Sequence, residues 1–406
     1  MKALVLVLVL GLVVAGCGFD ANLLVEERGP DGGSGRPVTE PERDAAARPR
    51  SDSGTSAAHG FDLGENETCA LVSGVPYCFG TLATEGTPSD YQTSPTVVTL
   101  AEPVVDVCAG VLHACALGAD GKVRCWGKNP VAQLASPDPA ATGPVVASLP
   151  GRAVSLACGT QHSCAILADG TLWCWGGNAE GQLGQSDLPL GPSVASPTQV
   201  GVARDYVAAG LGDGHSCAIR KPGTLWCWGR NTEAHLGLGG VVPDQIRTPT
   251  RVGTFTDWTA VTSAQEGSCG LRAEGSLWCW GGNAGGRVGA GGDVVLDPTR
   301  VTPSTDFVTV DTGTFHTCAT KRDGSLYCWG RNVEGQLGVG SAFETALEPA
   351  RVPGTASWRD VRVGRFHTCG MQSNGELYCA GKNDVGQLGL GDTTRRADLT
   401  RVTVGP

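Results

Sequence analysis

The chain is 406 residues long, carries a formal net charge of −10, and only 17% of its residues are charged. Its 61 glycines and 24 prolines suit a turn-dense all-β protein, and the low charge content excludes a disordered polyelectrolyte. No clustered stripe of Lys and Arg is present to neutralise phosphates, so a nucleic-acid partner is not expected.

At the N-terminus, Met1-Lys2 precedes an apolar run from Ala3 to Ala15 that ends at Gly16-Cys17. A positive start, a short apolar stretch and small residues before a cleavage point describe an export signal over residues 1–16. The run is too short to favour a membrane-spanning helix. Val14-Ala15-Gly16-Cys17 resembles the bacterial lipobox, which implies cleavage before Cys17 and acylation of its sulfur and new amino group. Several acyl chains anchor stably where one binds marginally. Gly18 in place of Asp favours the outer membrane by the enterobacterial sorting pattern. Residues 17–60 then shift to Gly, Pro, Ser, Asp, Glu, Arg and Ala, the composition of a flexible tether behind the lipidated cysteine.

From residue 61 to 406 the chain repeats itself. Six clear units run His113-Ala-Cys115…Cys125-Trp-Gly127, His162-Ser-Cys164…Cys174-Trp-Gly176, His215-Ser-Cys217…Cys227-Trp-Gly229, Gly267-Ser-Cys269…Cys279-Trp-Gly281, His316-Thr-Cys318…Cys328-Trp-Gly330 and His367-Thr-Cys369…Cys379-Ala-Gly381. A degenerate first copy, Glu67-Thr-Cys69…Cys78-Phe-Gly80, makes seven. Most units continue into Asn-x-x-Gly-Gln-Leu-Gly, as at Asn178 to Gly184 and Asn332 to Gly338. In the sixth unit, Phe307 to Val310, His316 to Ala319, Ser325 to Trp329 and Glu348 to Val352 read as four strands separated by turns. Four short strands in about fifty residues describe one propeller blade, so the expected fold is an all-β, seven-bladed β-propeller. The final Leu399-Thr-Arg-Val402 matches Pro298-Thr-Arg-Val301 and Pro349-Ala-Arg-Val352. It is expected to pair with the first blade and close the ring, removing exposed strand edges.

The Gly-x-x-His-x-Cys and Cys-Trp-Gly-x-Asn…Gly-Gln-Leu-Gly signatures resemble the repeat of the regulator of chromosome condensation, over roughly residues 61–406. Neither the WD40 nor the kelch pattern recurs. The resemblance implies the propeller and, from the eukaryotic prototype, guanine-nucleotide exchange; no exchange residue carries over, and the export signal separates this chain from cytosolic GTPases. Secreted β-lactamase inhibitors built on a disc of related repeats imply a further alternative, an enzyme inhibitor using exposed aromatics, for which Tyr91, Phe255 and Phe343 are the candidates.

With Cys17 assigned to lipid, 16 of the 17 cysteines remain. Fourteen form local pairs, Cys69–Cys78, Cys115–Cys125, Cys164–Cys174, Cys217–Cys227, Cys269–Cys279, Cys318–Cys328 and Cys369–Cys379, placed to face each other across a hairpin. Opposed strand residues lie about 4.5–5.5 Å apart, within disulfide reach, and export favours oxidation. A zinc site would find only three ligands per unit and no Cys-x-x-Cys knuckle, so no metal is expected. Cys108 and Cys158 are left, offset by one residue relative to the glycines that follow them. They therefore sit on opposite faces of their own sheets, the arrangement an inter-blade bridge needs.

His113, His162, His215, His316 and His367 share one repeat position, which suits packing or hydrogen bonding and not catalysis. Trp126, Trp175, Trp228, Trp280 and Trp329 follow a hairpin cysteine while Trp173, Trp226 and Trp278 precede one; both sets are expected between blades. Trp258 and Trp358, at strand starts, are expected in the core. No Gly-x-Ser-x-Gly, His-Glu-x-x-His or phosphate-binding loop occurs, so no catalytic residue and no cofactor are expected. The leading expectation is a monomeric, non-enzymatic scaffold at the bacterial cell envelope, lipid-anchored and periplasmic or surface-exposed, with one ring face turned to a protein or glycan partner.

Overall fold

The computed structural model describes residues 58–81, 91–187, 191–240, 242–340, 343–355 and 357–405. The expected export segment, Cys17 and nearly all of the expected tether lie outside them. Seven four-stranded antiparallel sheets follow one another along the chain. In the sixth, Phe307–Thr312, His316–Lys321, Leu326–Arg331 and Thr345–Arg351 pair in sequence order from the axis outward. The first strand of each sheet lines a central axial cavity. Among the described residues the only helical turn is Ala284–Gly286.

The alternation of the sequence decides which side chains meet. The five tryptophans that follow a hairpin cysteine are almost fully buried, at 0–2% exposure, in apolar clusters shared by neighbouring blades. Trp258 and Trp358 are buried as well. Trp173, Trp226 and Trp278 are only half-buried, and their Nε1 atoms donate to Thr171, Thr224 and Ser276 at 2.9, 3.0 and 2.8 Å. Arg220 and Arg272 cover two of these rings.

Ring closure differs from the sequence expectation. The C-terminal strand Arg396–Val402 pairs with Leu377–Gly381 of the seventh blade, and the first blade takes its fourth strand from Gln92–Val97. Pro95-Thr96-Val97-Val98 is a weakened copy of the Pro-x-Arg-Val strand, so the first unit already contains four strands and has no edge for the C-terminus to fill. Blades 7 and 1 meet through side chains and loops instead. Phe61, Phe79, Met371 and Leu388 share a buried cluster, Arg365 pairs with Glu65 at 3.2 Å, and the Gly391 amide donates to the Thr93 carbonyl at 2.8 Å.

Candidate functional site

The repeat signature is almost entirely taken up in joining one blade to the next. The Oδ1 atoms of Asn178, Asn231 and Asn332 accept the amides of Leu183, Leu236 and Leu337 at 3.2, 3.1 and 3.0 Å, folding two Gly-Gln-Leu-Gly loops and their Ala-His-Leu-Gly counterpart in blade 4. The folded loop offers one backbone carbonyl to the following blade. Gln182 O thus accepts from Trp228 Nε1 and from Ser216 Oγ, both at 2.8 Å. Gly184 closes that loop at φ +75°, and a Cβ there would lie 2.7 Å from Trp228 Nε1.

The histidines complete these joints. His113, His162, His215, His316 and His367 place Nε2 2.9, 2.8, 2.9, 2.6 and 3.0 Å from a hydroxyl of the next blade: Ser163, Ser216, Ser268, Thr368 and Thr68. Because Ser216 already donates to Gln182 O, His162 must donate, which assigns the Nε2–H tautomer. Burial pushes His162, His316 and His367 down to about 3 and His113 to about 4, so all four are neutral near pH 7. A His–Ser pair elsewhere can be nucleophilic machinery; here it recurs around a closed ring with both partners fully buried.

Two units replace the histidine, each in its own way. In blade 5, the buried Arg287 occupies the Gln position of the loop and fills the space above Gly267. It pairs with Glu266 at 2.8 Å, donates to Thr314 O at 2.6 Å, and bonds the Gly282 carbonyl. In blade 1, Glu67 faces Ala114, where other blades carry Ser or Thr. Burial raises Glu67 to about 8, its Oε1 has no partner, and Trp126 Nε1 across the same seam has none either. The Asn-x-x-Gly-Gln-Leu-Gly motif that supplies the loop carbonyl in other units does not occur in the sequence of the first unit.

All eight disulfides are formed. The seven hairpin pairs have Cα separations of 4.0–4.1 Å, a little closer than opposed strands normally lie. Cys108–Cys158 joins blades 2 and 3 with a Cα separation of 5.4 Å. It belongs to a belt around the axis that the sequence reading missed. One column of the innermost strands runs Asp62, Cys108, Ala157, Gly210, Thr262, Asp311 and Arg362 through blades 1 to 7. Asp62 accepts the Ala109 amide of blade 2 at 2.9 Å, and Asp311 accepts the Val363 amide of blade 7 at 2.7 Å and the Thr262 hydroxyl of blade 5 at 2.6 Å. Arg362 reaches Asp360 at 2.6 Å and Asp62 at 3.6 Å. Burial raises Asp62 to about 7 and also raises Asp311; burial works against the charge on Arg362, but Asp360, Asp311 and Asp62 keep it protonated. The signal was the divergence of this column within an otherwise regular repeat.

A second divergent column lies on the ring face formed by the loops between first and second strands. Asn66, Leu112, Gln161, Gly214 and Glu266 give way to Phe315 and Phe366 in blades 6 and 7. These two rings stack at 4.8 Å, with Arg331 5.3 Å from the first, Lys382 5.5 Å from the second, and Arg365 within 6 Å of both. Arg331 is exposed; both phenylalanines are half-buried. Of the aromatics expected at an inhibitory face, Tyr91 and Phe343 are exposed. Phe255 is packed against Trp258, Trp278 and Arg272 after a fourth strand, and so lies toward the opposite face.

Fold and joints together define a disulfide-stapled seven-bladed propeller whose repeats are consumed in inter-blade contacts. Models of the regulator of chromosome condensation (RCC1) repeat match at 104–133, 153–182, 206–234, 307–336 and 358–387, and a second form at 169–219, 222–271, 274–320 and 323–371. The chain belongs to the RCC1 repeat family. Human WBSCR16 is 21% identical with a TM-score of 0.71, over 79% of this chain and 89% of that one. Prp20p from Saccharomyces cerevisiae, in a study of its binding to Gsp1p and histones, is 19% identical with a TM-score of 0.70, over 84% and 86%. The same yeast protein bound to Kap60 gives 18%, a TM-score of 0.71 and 91% of each chain. At these identities the likeness is one of fold.

Proposed function

We propose that the chain is a cell-envelope lipoprotein whose propeller is a non-enzymatic scaffold for a protein or glycan partner. The partner docks on the face that carries Phe315 and Phe366. The observation behind this reading is that the recurring repeat residues are spent on joints, while stacked aromatics flanked by three cations stand where the repeats diverge. Aromatic and Arg side chains are the usual anchors of binding surfaces. Yeast Prp20p is reported with Gsp1p, histones and Kap60; the lipobox of this chain points to envelope partners instead.

A photo-crosslinking residue at Arg331, compared with one at Asp323 in a hairpin turn on the opposite face, tests the docking face in intact cells. Discrete adducts from position 331 and none from 323 are expected; the reverse pattern refutes the assignment. Cys17→Ala tests the anchor separately: loss of membrane association is expected, and unchanged fractionation overturns it.

A further inference from the structure

Blade 2 is the only blade with sulfur at the axial position in register with its first hairpin cysteine. Cys108 faces Cys115, whereas the equivalent partners of Cys69, Cys164, Cys217, Cys269, Cys318 and Cys369 are Asp62, Ala157, Gly210, Thr262, Asp311 and Arg362. Cys115 in turn faces Cys125, so three sulfurs stand in a row on one face of this sheet. The Sγ atoms of Cys108, Cys115 and Cys158 all lie within 4.8 Å of one another. Two disulfides are thus in near contact.

Their access to solvent differs sharply. Every hairpin cysteine is buried to 2% exposure or less, but Cys158 is half-buried and, with Cys108, lines the axial cavity of about 450 Å³. That volume admits a small thiol. The neighbouring hydroxyl is also turned differently. Ser216, Thr68 and Thr317 donate to loop carbonyls of the preceding blade, whereas Ser163 points to Cys158 Sγ at 3.8 Å; like Thr368 beside Cys318, it also lies near the hairpin sulfur of the preceding blade, 3.7 Å from Cys115 Sγ. His113 holds it there at 2.9 Å.

We infer that Cys108–Cys158 is a thiol-exchange site that takes small thiols from the axial cavity and passes the exchange to Cys115. The thiolate attacks Cys158 Sγ; a mixed disulfide forms on Cys158, and the Cys108–Cys158 bond breaks with its electron pair leaving on Cys108. Cys108 then attacks Cys115 Sγ, forming Cys108–Cys115 and releasing Cys125 as thiolate. Each step exchanges one S–S bond for another, so no oxidant is needed. Ser163 is placed to donate to a sulfur that acquires negative charge. This inference is independent of which partner binds the ring face.

The test is time-resolved treatment of the folded chain with 2-mercaptoethanesulfonate, alkylation with N-ethylmaleimide and peptide mapping. Opening of Cys108–Cys158 about tenfold or more faster than any hairpin bridge other than Cys115–Cys125 is expected, because those require the blades to part first. The products are a mixed disulfide on Cys158, a Cys108–Cys115 crosslink and alkylated Cys125. Opening no faster than the hairpin bridges of the other blades overturns the site, and alkylated Cys108 beside an intact Cys115–Cys125 bridge overturns the transfer. In Cys158→Ser, the single unpaired thiol is expected to divide between Cys108 and Cys125; label confined to Cys108 refutes the transfer without any added thiol.

Discussion

Acidification should loosen the ring, because the histidine joints require neutral imidazoles. His162, His316 and His367 titrate at about 3 and His113 at about 4 in the fold, against an ordinary 6.5. Below 6.5 the unfolded chain takes up protons that the folded chain refuses, so stability falls as pH falls. Between about pH 7 and about pH 5 each imidazole accounts for a loss of about 2 kcal/mol. Glu67 and Asp62 act in the other direction. Their folded values, about 8 and about 7, lie above the ordinary 4.5 and 3.8, so the cost of keeping them protonated shrinks as pH falls. These give back about 5 kcal/mol together over the same interval, leaving a net destabilisation of about 3 kcal/mol from the six groups. His215 and His235, also pushed down by burial, add to the loss, and Asp311, pushed up by burial, offsets part of it. Urea unfolding with the disulfides intact, followed by tryptophan fluorescence, reads this directly as a lower midpoint at about pH 5. His162→Gln, which keeps a donor but cannot titrate, should shed about 2 kcal/mol of the pH dependence. A midpoint that is unchanged or higher at about pH 5 refutes the reasoning.

The same equilibrium measurements check three further expectations. Glu67→Gln removes a carboxyl held protonated against its ordinary 4.5, so it should raise stability by about 2–3 kcal/mol at about pH 7, with the gain gone by about pH 4.5. Arg287→Gln should cost about 3–5 kcal/mol by leaving Glu266 and buried carbonyls unpaired. Gly267→His should clash with Arg287, and the double variant, which restores the common repeat, should recover most of both losses. Trp228→Phe gives up the hydrogen bond to Gln182 O and should cost about 1–2 kcal/mol more than Trp126→Phe, whose Nε1 has no partner to lose.

The fold was legible because each repeat carries its own instructions: alternation sets the faces, Asn and Gly set the loops, and paired cysteines set the hairpin register. The Cys108–Cys158 bridge was legible for the same reason, since a one-residue offset reverses the face a strand residue presents. The closing strand was misread because Val97 stands where blades 4 to 7 carry Arg, which hid the first blade's own fourth strand. Trp173, Trp226 and Trp278 share a face with the buried tryptophans but sit two residues nearer the hairpin turn, and depth along a strand is not encoded in alternation. The axial belt and the stacked phenylalanines were harder still. Each brings together residues about fifty positions apart whose only common mark is failing to match the repeat.

Each blade takes all four strands from one stretch of chain and carries its own hairpin bridge, so a blade is a self-contained heritable module. Copying or deleting one whole unit leaves every sheet intact and every hairpin cysteine with its mate. What changes is the number of wedges around the axis and the identity of the two units that become neighbours. The joints tolerate such reassortment where both neighbours follow the common pattern, since any loop carbonyl serves any Trp–Ser pair. The axial column does not: an aspartate, an arginine or a cysteine there is complementary only to the particular neighbours it meets in this order. Blade order in this ring is therefore recorded at the axis, in Asp62, Cys108, Thr262, Asp311 and Arg362.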